Sequence, residues 1–485
     1  MVKKIAIAAG GLVALLLLYI LVWTGSPMEV AGVDDYRKYE GTIDWDAVTA
    51  EATPLLQEFI RIKTIRADEH KASLWLQARL KKEGIASRIY AHPDDPSRSN
   101  LVAEIIPDNP DPDGGMILSS HTDVVEVNEE KWDHPPFSGA LADGKIWGRG
   151  TLDMKGQTIM QLMTLILIKR NKIPLKRKLM LLALADEETT NVYGARLMTT
   201  AHKDVFDGYR YVMNEGGLGT VDVAVPGSKI FNIQYAEKGA LWVKIHTKGE
   251  SGHGARPPAE YALKNIVSFL EAVRESETGI TITGQMETFF YQMGSVSPFP
   301  NSFFLKRAGN PLVQGILTPI IRDNRYLTAM TTNTRALTAL HTNEDEGQNV
   351  IASEAYGKID MRLLPGETTE GYLAKLRKLA EPYEVEIEVV DAIEPNHSPL
   401  DSPLMKVMSR VAMENVPGSV VTPLVTPGNT DNTHLRKLGL ECYGLTPVML
   451  DEEELGSPHS DNEYISLENL KLGTKVTFET VIGMN

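Results

Sequence analysis

The sequence predicts an α/β fold in which a doubly wound sheet is interrupted by a smaller inserted α+β unit. Leu179 to Ala185 is a continuous apolar run, as expected of a parallel strand that is buried on both faces. A helical pattern, Ile159 to Lys169, precedes it, and such alternation of helices with strands is typical of a doubly wound layer. Near residue 236 the pattern changes, and from about residue 393 the first pattern returns.

Two helices and three strands are predicted before this alternation begins. Trp45 to Lys63 and Lys71 to Glu83 carry apolar residues at helical spacing. Ala86 to Tyr90 and Asn100 to Ile106 alternate as strands do, and Met116 to Leu118 forms a third, short apolar strand. These elements predict a large sheet with helices packed on it.

The inserted unit is predicted to hold two helices and about four strands, which fits a small α+β sandwich. Its segments are Ala240 to Thr247, Ala259 to Arg274, Leu327 to Leu340, Ala352 to Leu363, Glu370 to Leu379 and Val385 to Val390. Phe289 to Arg325, rich in Phe, Pro and Asn, is interpreted as an excursion from this unit. After it, Ser402 to Met413 and Leu467 to Ile482 are predicted helices, with a strand at Gly439 to Leu445 between them.

Composition excludes some classes of protein. The formal net charge of −15 over 485 residues argues against a nucleic-acid partner, because binding phosphate requires a basic face. The single Cys442 excludes an intrachain disulfide and a cysteine-rich zinc site. Cys442 lies in an apolar segment and is predicted to be a small core residue.

The N-terminus differs from the rest of the chain. Lys3 and Lys4 precede Ile5 to Trp23, a run of 19 residues without charge, which is just long enough to cross a bilayer as a helix. A signal peptide is the competing interpretation, but the run is long for one and lacks a good cleavage site. We favour an uncleaved membrane anchor, with the body of the protein in the periplasm, the cell exterior or an organelle lumen.

Five short motifs carry side chains that bind metal ions, and several directly follow a predicted strand. Histidine nitrogens and carboxylate oxygens are the ligands that zinc accepts at hydrolytic sites. The motif residues are His121 with Asp123, Asp153 in Gly148-Arg149-Gly150-Thr151-Leu152-Asp153, the pair Glu187-Glu188, Glu215, and His459 in Ser457-Pro458-His459.

The order of these motifs resembles the M20 family of dinuclear zinc peptidases and amidohydrolases. Trp132 to Gly139 and Ile146 to Gly150 resemble its carboxypeptidase S branch, which includes N-acyl-amino-acid hydrolases. The resemblance covers roughly residues 45 to 480. It implies a catalytic domain with a dinuclear metal site, interrupted by a lid or dimerisation domain.

The resemblance implies a ligand set for two Zn²⁺ ions per chain, although other divalent ions are possible. Asp153 would bridge the two ions. His121 and Glu215 would hold one ion, and Glu188 and His459 would hold the other.

The resemblance also implies three catalytic roles. Glu187 would be the general base, and it would later pass the proton to the leaving amine. Asp123 would orient His121 by accepting its second N–H. His253 would reach the active site of a second subunit and stabilise the oxyanion, which implies a homodimer through the inserted unit.

Three further positions match residues that bind substrate in the family. Asn349 and Arg362 would grip a substrate carboxylate, for which a planar guanidinium is well suited. Thr430 lies in a loop that resembles Gly-Gly-Thr-Asp. Two departures from the family pattern are Glu126, where a proline is usual, and Asn429, where the loop usually has its second glycine.

The predicted organisation divides the chain into five parts. They are an N-terminal membrane anchor or signal segment at residues 1–23, a tether at 24–44, the first part of the catalytic domain at 45–235, the lid or dimerisation domain at 236–392, and the second part of the catalytic domain at 393–485.

The predicted function is hydrolysis of the amide bond of a peptide or an N-acyl amino acid, which releases a free amino acid. Carboxypeptidase, dipeptidase and aminoacylase specificities use the same machinery, and the sequence leaves the choice open. The alternative from another class is a non-catalytic ectodomain that binds amino-acid conjugates.

Overall fold

The structure, a computed structural model, describes residues 18–30, 36–39, 41–276, 279–343 and 347–485. Most of the predicted membrane anchor or signal segment, residues 1–17, lies outside the described residues, and residues 18–22 are helical. In the described ranges, no helix has both the length and the apolar character that a bilayer span requires.

The strands belong to four sheets. In chain order they are β1 (Ala86–Ala91), β2 (Ser99–Ile105), β3 (Gly115–His121), β4 (Ala140–Ala142), β5 (Lys145–Trp147), β6 (Leu179–Leu184), β7 (Tyr209–Val221), β8 (Lys229–Glu237), β9 (Gly239–Lys248), β10 (Gly252–His253), β11 (Thr334–Thr342), β12 (Val350–Ile351), β13 (Glu354–Leu363), β14 (Glu386–Ile393), β15 (Asn396–His397), β16 (Ser419–Thr426), β17 (Glu441–Leu450) and β18 (Tyr464–Ser466).

The α-helices lie between these strands. They are α1 (Trp45–Ile60), α2 (Glu69–Lys82), α3 (Lys155–Arg170), α4 (Ala195–Ala201), α5 (Ala262–Glu275), α6 (Gly284–Val296), α7 (Asn301–Leu305), α8 (Pro311–Asp323), α9 (Arg325–Thr331), α10 (Thr369–Ala380), α11 (Pro403–Asn415), α12 (Asn432–Arg436), α13 (Glu452–Leu455) and α14 (Leu467–Gly483). Short 3₁₀ turns occur at Tyr36–Tyr39, Glu129–Lys131, Lys203–Phe206 and Glu381–Tyr383.

The central sheet has the strand order β1-β2-β6-β3-β7-β17-β8-β15, with β16 beside β8. At its centre β3 pairs in parallel with β6 and β7, and β7 pairs in parallel with β17. The outer strands β1, β2 and β15 run antiparallel to their neighbours. Every residue of β6 is buried, as its apolar run predicts. The predicted α/β class is confirmed, in the form of a mixed sheet with a parallel centre.

Helix α3 anchors the packing on this sheet. From Lys155 to Ile168 every residue of the helix is buried, because it lies against β3, α1 and α14 at once. A helix that is covered on all sides can be apolar around its whole circumference. Residue 155, at its first turn, is therefore held close to the sheet.

The chain leaves the central sheet after Glu237 and returns to it at Asn396. Between them lies a four-stranded antiparallel sheet of order β11-β13-β9-β14. Along β9, Leu241 and Val243 are buried against α5 and α10, whereas Trp242 is exposed. This alternation is that of a sheet covered on one face. The domain boundaries given above from the sequence stay a prediction.

The segment interpreted as an excursion from the inserted unit packs elsewhere. It forms helices α6 to α9, and α6 lies on β16 of the central sheet. Gln292 donates a hydrogen bond to the carbonyl oxygen of Val421 at 2.9 Å, and Phe289 and Phe290 join the main core. The strand expected from Leu327 begins only at Thr334, because the preceding residues complete α9.

Phe290→Ala should reduce the free energy of unfolding of the whole catalytic body by roughly 3–5 kcal/mol, because it removes a fully buried ring from the main core. Phe299→Ala is the matched control, since that ring is 81% exposed. Denaturant unfolding followed by tryptophan fluorescence measures both. Equal effects of the two substitutions would contradict the packing described for this segment.

Candidate metal centre

The candidate ligands meet at one edge of the central sheet. β3 ends at His121, and Glu187 and Glu188 follow the end of β6. Glu215 lies on β7, which is parallel to β3. Carboxyl ends of parallel strands share one edge of a sheet, where α/β proteins place their sites. Asp153 is delivered to the same edge immediately before α3.

The two oxygens of Asp153 face two different histidines. Oδ1 lies 3.0 Å from Nε2 of His121, and Oδ2 lies 3.0 Å from Nε2 of His459. Each histidine has a second carboxylate: Glu215 Oε1 is 3.5 Å from His121 Nε2, and Glu188 Oε1 is 3.0 Å from His459 Nε2. The five predicted ligands therefore form two half-sites that share one carboxylate.

Glu187 completes the cluster. Its carboxylate, with one atom each of His121 and Glu215, forms a group in which the possible ligand atoms lie within 4.8 Å of one another. His121, Asp153 and Glu188 form a second such group. All of the predicted metal ligands and the predicted general base are thus brought together.

The charge of the cluster fits a pair of divalent cations. With neutral histidines, the four carboxylates carry four negative charges in a largely buried place, and buried charge without a partner is costly. Burial opposes protonation of His121, but Glu215 and the two aspartates outweigh it and raise its pKa well above the ordinary value. Hydrogen bonds that the carboxylates of Asp153 and Glu188 accept from His459 raise the pKa of this histidine to about 10. Protons thus balance the charge where cations would otherwise do so.

Two of the acidic side chains, Glu187 and Glu215, also shift towards holding a proton, whereas the pKa of Asp153 is lowered by its hydrogen bonds with the two histidines. Burial, together with the negative charge of Glu215, raises the pKa of Glu187 well above the ordinary range. Burial and the charge of Asp153 outweigh the effect of His121 and raise the pKa of Glu215 to about 7. Two His and several carboxylates are also a donor set that suits zinc and similar ions.

The orientation of His121 is fixed by a hydrogen bond on the Nδ1 side of its ring. Its Nδ1 lies 3.0 Å from the backbone carbonyl oxygen of Asp123, which can only accept, so Nδ1 carries a hydrogen and Nε2 is the ring atom that faces the cluster. The predicted contact with the Asp123 carboxylate is longer, 3.5 Å. That carboxylate instead accepts the backbone N–H groups of Glu187 and Glu188 at 3.2 and 3.1 Å. Asp123 therefore positions both halves of the cluster.

A buried carboxylate that the sequence reasoning missed holds the loop of Asp153. Glu463 accepts hydrogen bonds from the backbone N–H groups of Gly150, Leu152 and Asp153 at 3.0, 2.7 and 3.2 Å. Arg149 donates to its other face at 2.6 Å. The Gly-Arg-Gly motif indicated a loop with a charged residue. The partner of Arg149 is Glu463, more than 300 residues later, and no local sequence pattern relates the two.

The Glu187-Glu188 turn has its own support. Asp186, which adopts a left-handed backbone conformation, accepts hydrogen bonds from Thr190 Oγ1 at 2.6 Å and from the N–H of Tyr193 at 3.2 Å. Arg98 bridges Asp186 and the buried Glu69 at 2.8 and 2.7 Å. This network fixes where the turn leaves β6.

Asp431 is a second residue to which the sequence gave no role. It is buried, and neither of its carboxylate oxygens has a hydrogen-bond partner within the described part of the chain. Burial, with the negative charges of Asp123 and Glu215, raises its pKa well above the ordinary value. Burial and the negative neighbours therefore favour the protonated form of Asp431.

The predicted substrate residues fall into two groups. In one, Arg362 forms the ion pair with Asp360 at 2.8 Å and donates to Asn429 Oδ1 at 3.1 Å. Thr430, beside Asn429, donates from its hydroxyl to Glu237 at 2.6 Å. Asn432 links this loop to the metal cluster, since its Nδ2 lies 3.5 Å from the carbonyl oxygen of Glu215.

The other group is His253 with Asn349. They lie on the paired strands β10 and β12 or next to them, are exposed, and approach to 3.2 Å between Nε2 and Nδ2. This places them on the surface of the inserted unit. Their predicted contributions to catalysis and substrate binding stay predictions.

A comparison with known families supports this geometry. The family model described as "Peptidase family M20/M25/M40" matches residues 117–482 of this chain. The chain belongs to this family. The recognition of the family from its motifs is thus confirmed, together with the assignment of the chain to the metal-dependent hydrolases.

Curated relatives match most of the chain. The N-fatty-acyl-amino acid synthase/hydrolase PM20D1 of Bos taurus is 28% identical over 375 residues, which cover 75% of this chain and 73% of the relative. The probable carboxypeptidase S-like 2 of Dictyostelium discoideum is 26% identical over 366 residues, with coverages of 73% and 69%.

Solved structures show the same fold. The M20 family metallo-carboxypeptidase Sso-CP2 from Sulfolobus solfataricus gives a TM-score of 0.67 at 17% identity and covers 90% of this chain and 100% of its own. Human carnosine dipeptidase 1 gives 0.62 at 16% identity, with coverages of 94% and 99%. At such identities the likeness establishes the fold alone.

Glu463→Gln should weaken metal binding by about 10–100-fold, because the Asp153 loop loses its charged acceptor and Arg149 is left buried without a counter-charge. Competition with a chromogenic chelator measures the affinity. Glu468→Gln, an exposed position on α14, is the matched control. Unchanged affinity in Glu463→Gln would show that the loop holds its shape without this carboxylate.

Proposed function

We propose that this protein is a dinuclear zinc hydrolase that cleaves the amide bond beside a free amino acid, in a peptide or an N-acyl amino acid. The observation that carries the proposal is the pair of half-sites around Asp153, each with one histidine and one glutamate. Glu187 lies in the same cluster and is not one of those five ligands.

The proposed metal ligands are His121, Asp153 and Glu215 for one ion, and Asp153, Glu188 and His459 for the other. Bound there, the ions would polarise the scissile carbonyl and lower the pKa of water. Asp153 would hold both ions at a fixed separation. Glu463 and Asp123 would keep the ligands in place when the charge of the site changes.

Glu187 is the proposed general base. Its carboxylate lies beside His121 and Glu215 and its backbone N–H is held by Asp123. It would take a proton from the water that attacks the carbonyl carbon. It would then deliver this proton to the nitrogen of the leaving amino acid, so that a free amine and a carboxylic acid result.

Arg362 and Asn349 are the proposed ligands of the free carboxylate of the substrate. The Arg362 guanidinium is partly exposed, and its ion pair with Asp360 leaves donors on Nη1 and Nη2 that a planar carboxylate can accept. Thr430 lies on the loop whose neighbouring residues contact Arg362 and Glu215. It is proposed to line the pocket. His253 of a second subunit would stabilise the oxyanion.

Two kinds of group are possible on the acyl side of the cleaved amide bond, a simple acyl chain or a peptide. The names of the curated relatives favour an N-acyl amino acid or a peptide cleaved at its carboxyl end. Dipeptidase and aminoacylase specificities remain alternatives. The alternative of a non-catalytic binding ectodomain is disfavoured, because the complete ligand set and the base are present and assembled.

For location, we propose that Ile5 to Trp23 anchors the protein in a membrane with the catalytic body outside the cytoplasm. Lys3 and Lys4 favour this orientation. Secretion after cleavage of this segment is the alternative.

Glu187→Gln should reduce kcat by about 10²–10⁴-fold, because an amide cannot accept the proton of the attacking water. Two metal ions per chain should remain bound, since the five ligands are unchanged. Amino-acid release and metal analysis of the same samples test this. Glu126→Gln, an exposed residue at a nearby position, is the control; retained activity in Glu187→Gln would exclude the assigned base.

Release of free amino acid from a panel of dipeptides and of short- and long-chain N-acyl amino acids tests the reaction itself. Activity should disappear with a chelator and return with Zn²⁺. The preferred substrate of the panel identifies the acyl group. Absence of both release and bound metal would favour the non-catalytic ectodomain.

Mixing two inactive variants tests the contribution of His253 across subunits. In a mixed dimer of His253→Ala with Glu187→Gln, one site combines an intact Glu187 with an intact His253 of the other chain. After subunit exchange, an equal mixture should recover about one quarter of the wild-type activity, because half of the dimers are mixed and each has one complete site. No recovery, with mixed dimers shown to form, would place the action of His253 within its own chain.

A further inference from the structure

Helix α8 presents an apolar face to solvent. Val313, Leu317 and Ile321 are buried against the body of the protein. On an adjacent face of the helix Leu312, Ile316 and Ile320, spaced four residues apart, are exposed, with Ile320 at 58%. A surface helix normally carries polar residues on this side.

The exposed face has no charged residue until the last turn of the helix. The row of exposed apolar side chains is flanked by Pro311, Gly315 and Pro319, and all three are exposed. Phe299, before α7, is 81% exposed, and Tyr326, at the start of α9, is also exposed. Contiguous apolar surface of this kind marks an interaction site on a soluble domain. We call Leu312, Ile316 and Ile320 the α8 apolar face.

The uncharged run near the N-terminus ends close to this face. Arg307 Nε donates to the carbonyl oxygen of Ile20 at 3.0 Å, and the N–H of Gly25 donates to the carbonyl oxygen of Lys306 at 2.9 Å. The turn at Lys306 and Arg307 directly precedes α8. Residues 20–25, which include the end of the Ile5–Trp23 run, are therefore fixed to the base of the same helix.

The side chains around this junction are those that favour the edge of a bilayer. Tyr19 and Trp23 are exposed and form a tilted ring pair at 6.2 Å, and amphipathic aromatic rings collect at the membrane–water boundary. At the other end of α8, Arg325 is exposed and stacks on Tyr326 at 4.9 Å. Local cations suit lipid phosphates, even though the chain as a whole is acidic.

We propose that the α8 apolar face rests on a lipid bilayer, beside the point where the N-terminal apolar run joins the body. The inserted apolar side chains and the flanking aromatic rings then fix how the catalytic body is oriented towards the membrane. This proposal is independent of the hydrolase activity, because none of these residues belongs to the metal cluster.

The test uses the full chain in vesicles of phosphatidylcholine and phosphatidylglycerol that contain acyl-chain nitroxide lipids. Ile316→Cys is labelled with an environment-sensitive fluorophore; native Cys442 is fully buried and does not compete for the label. Val390→Cys on β14, exposed to a similar extent, is the matched control. Nitroxide lipids should quench about half or more of the emission at position 316 and almost none at position 390.

Each other result overturns the proposal. Quenching at neither position shows that the face does not reach lipid, and equal quenching at both shows non-specific adsorption. A label at position 316 that is shielded without vesicles identifies a protein occupant. If the shielding depends on protein concentration, the occupant is a second copy of the chain, and if it does not, the occupant is the chain's own N-terminal run.

A second variant guards against misfolding. Leu312→Cys, labelled in a background of Ile316→Glu and Ile320→Glu, should lose at least about two thirds of its quenching, because two carboxylates oppose burial in hydrocarbon. Leu337→Glu and Val390→Glu form the control background. Hydrolysis of a water-soluble substrate by each variant shows that the body is folded, and undiminished quenching in the acidic background would also overturn the proposal.

Discussion

The arrangement of the site depends on one constraint: four carboxylates must lie together at the edge of a sheet without expelling one another. Asp153 meets this constraint by turning one oxygen to His121 and the other to His459. Glu215 and Glu188 then take the outer side of each histidine. Only positive charge held at both half-sites makes such a cluster stable, and two divalent ions supply four charges for the four carboxylates. The metal ions would therefore stabilise the local fold as well as take part in the reaction.

The surrounding structure counteracts the repulsion that remains. The acidic loops donate backbone N–H groups to buried carboxylates or pair with a buried arginine. Glu463 with Arg149 fixes the loop of Asp153, Asp123 caps the turn of Glu187 and Glu188, and Arg98 neutralises Asp186. Charge-assisted hydrogen bonds in a buried setting are strong and directional. The candidate ligands thus keep their geometry because a second set of buried charged side chains supports the loops that carry them.

The sequence could predict which side chains the fold brings together at this edge because each candidate ligand is tied to a local pattern. His121 ends a short apolar strand and the two glutamates follow another, and both facts are visible within a few residues. Glu463 was missed because its meaning lies in contacts with a loop more than 300 residues earlier. The packing of α6 to α9 was missed for a related reason. Periodicity shows that Val313 and Leu317 share a buried face, but it does not show which surface covers them. Likewise, the exposed pair of His253 and Asn349 cannot be related to the site from one chain alone.

The junction at Glu237 and Lys238 connects these parts. Glu237 accepts hydrogen bonds from Thr430 and Arg436, which orders the loop beside the metal cluster. Lys238, the next residue, donates to Ala329, Thr332 and Thr334 at 2.8 to 3.0 Å. Burial lowers the pKa of Lys238 to about 7, but a neutral amine has only two N–H groups. Three acceptors therefore favour the ammonium form, in which one charge holds the end of α9 against the first residues of the inserted sheet. The pocket loop, the inserted unit and the helices that carry the α8 apolar face are consequently joined at Glu237 and Lys238, so that the position of each constrains the others.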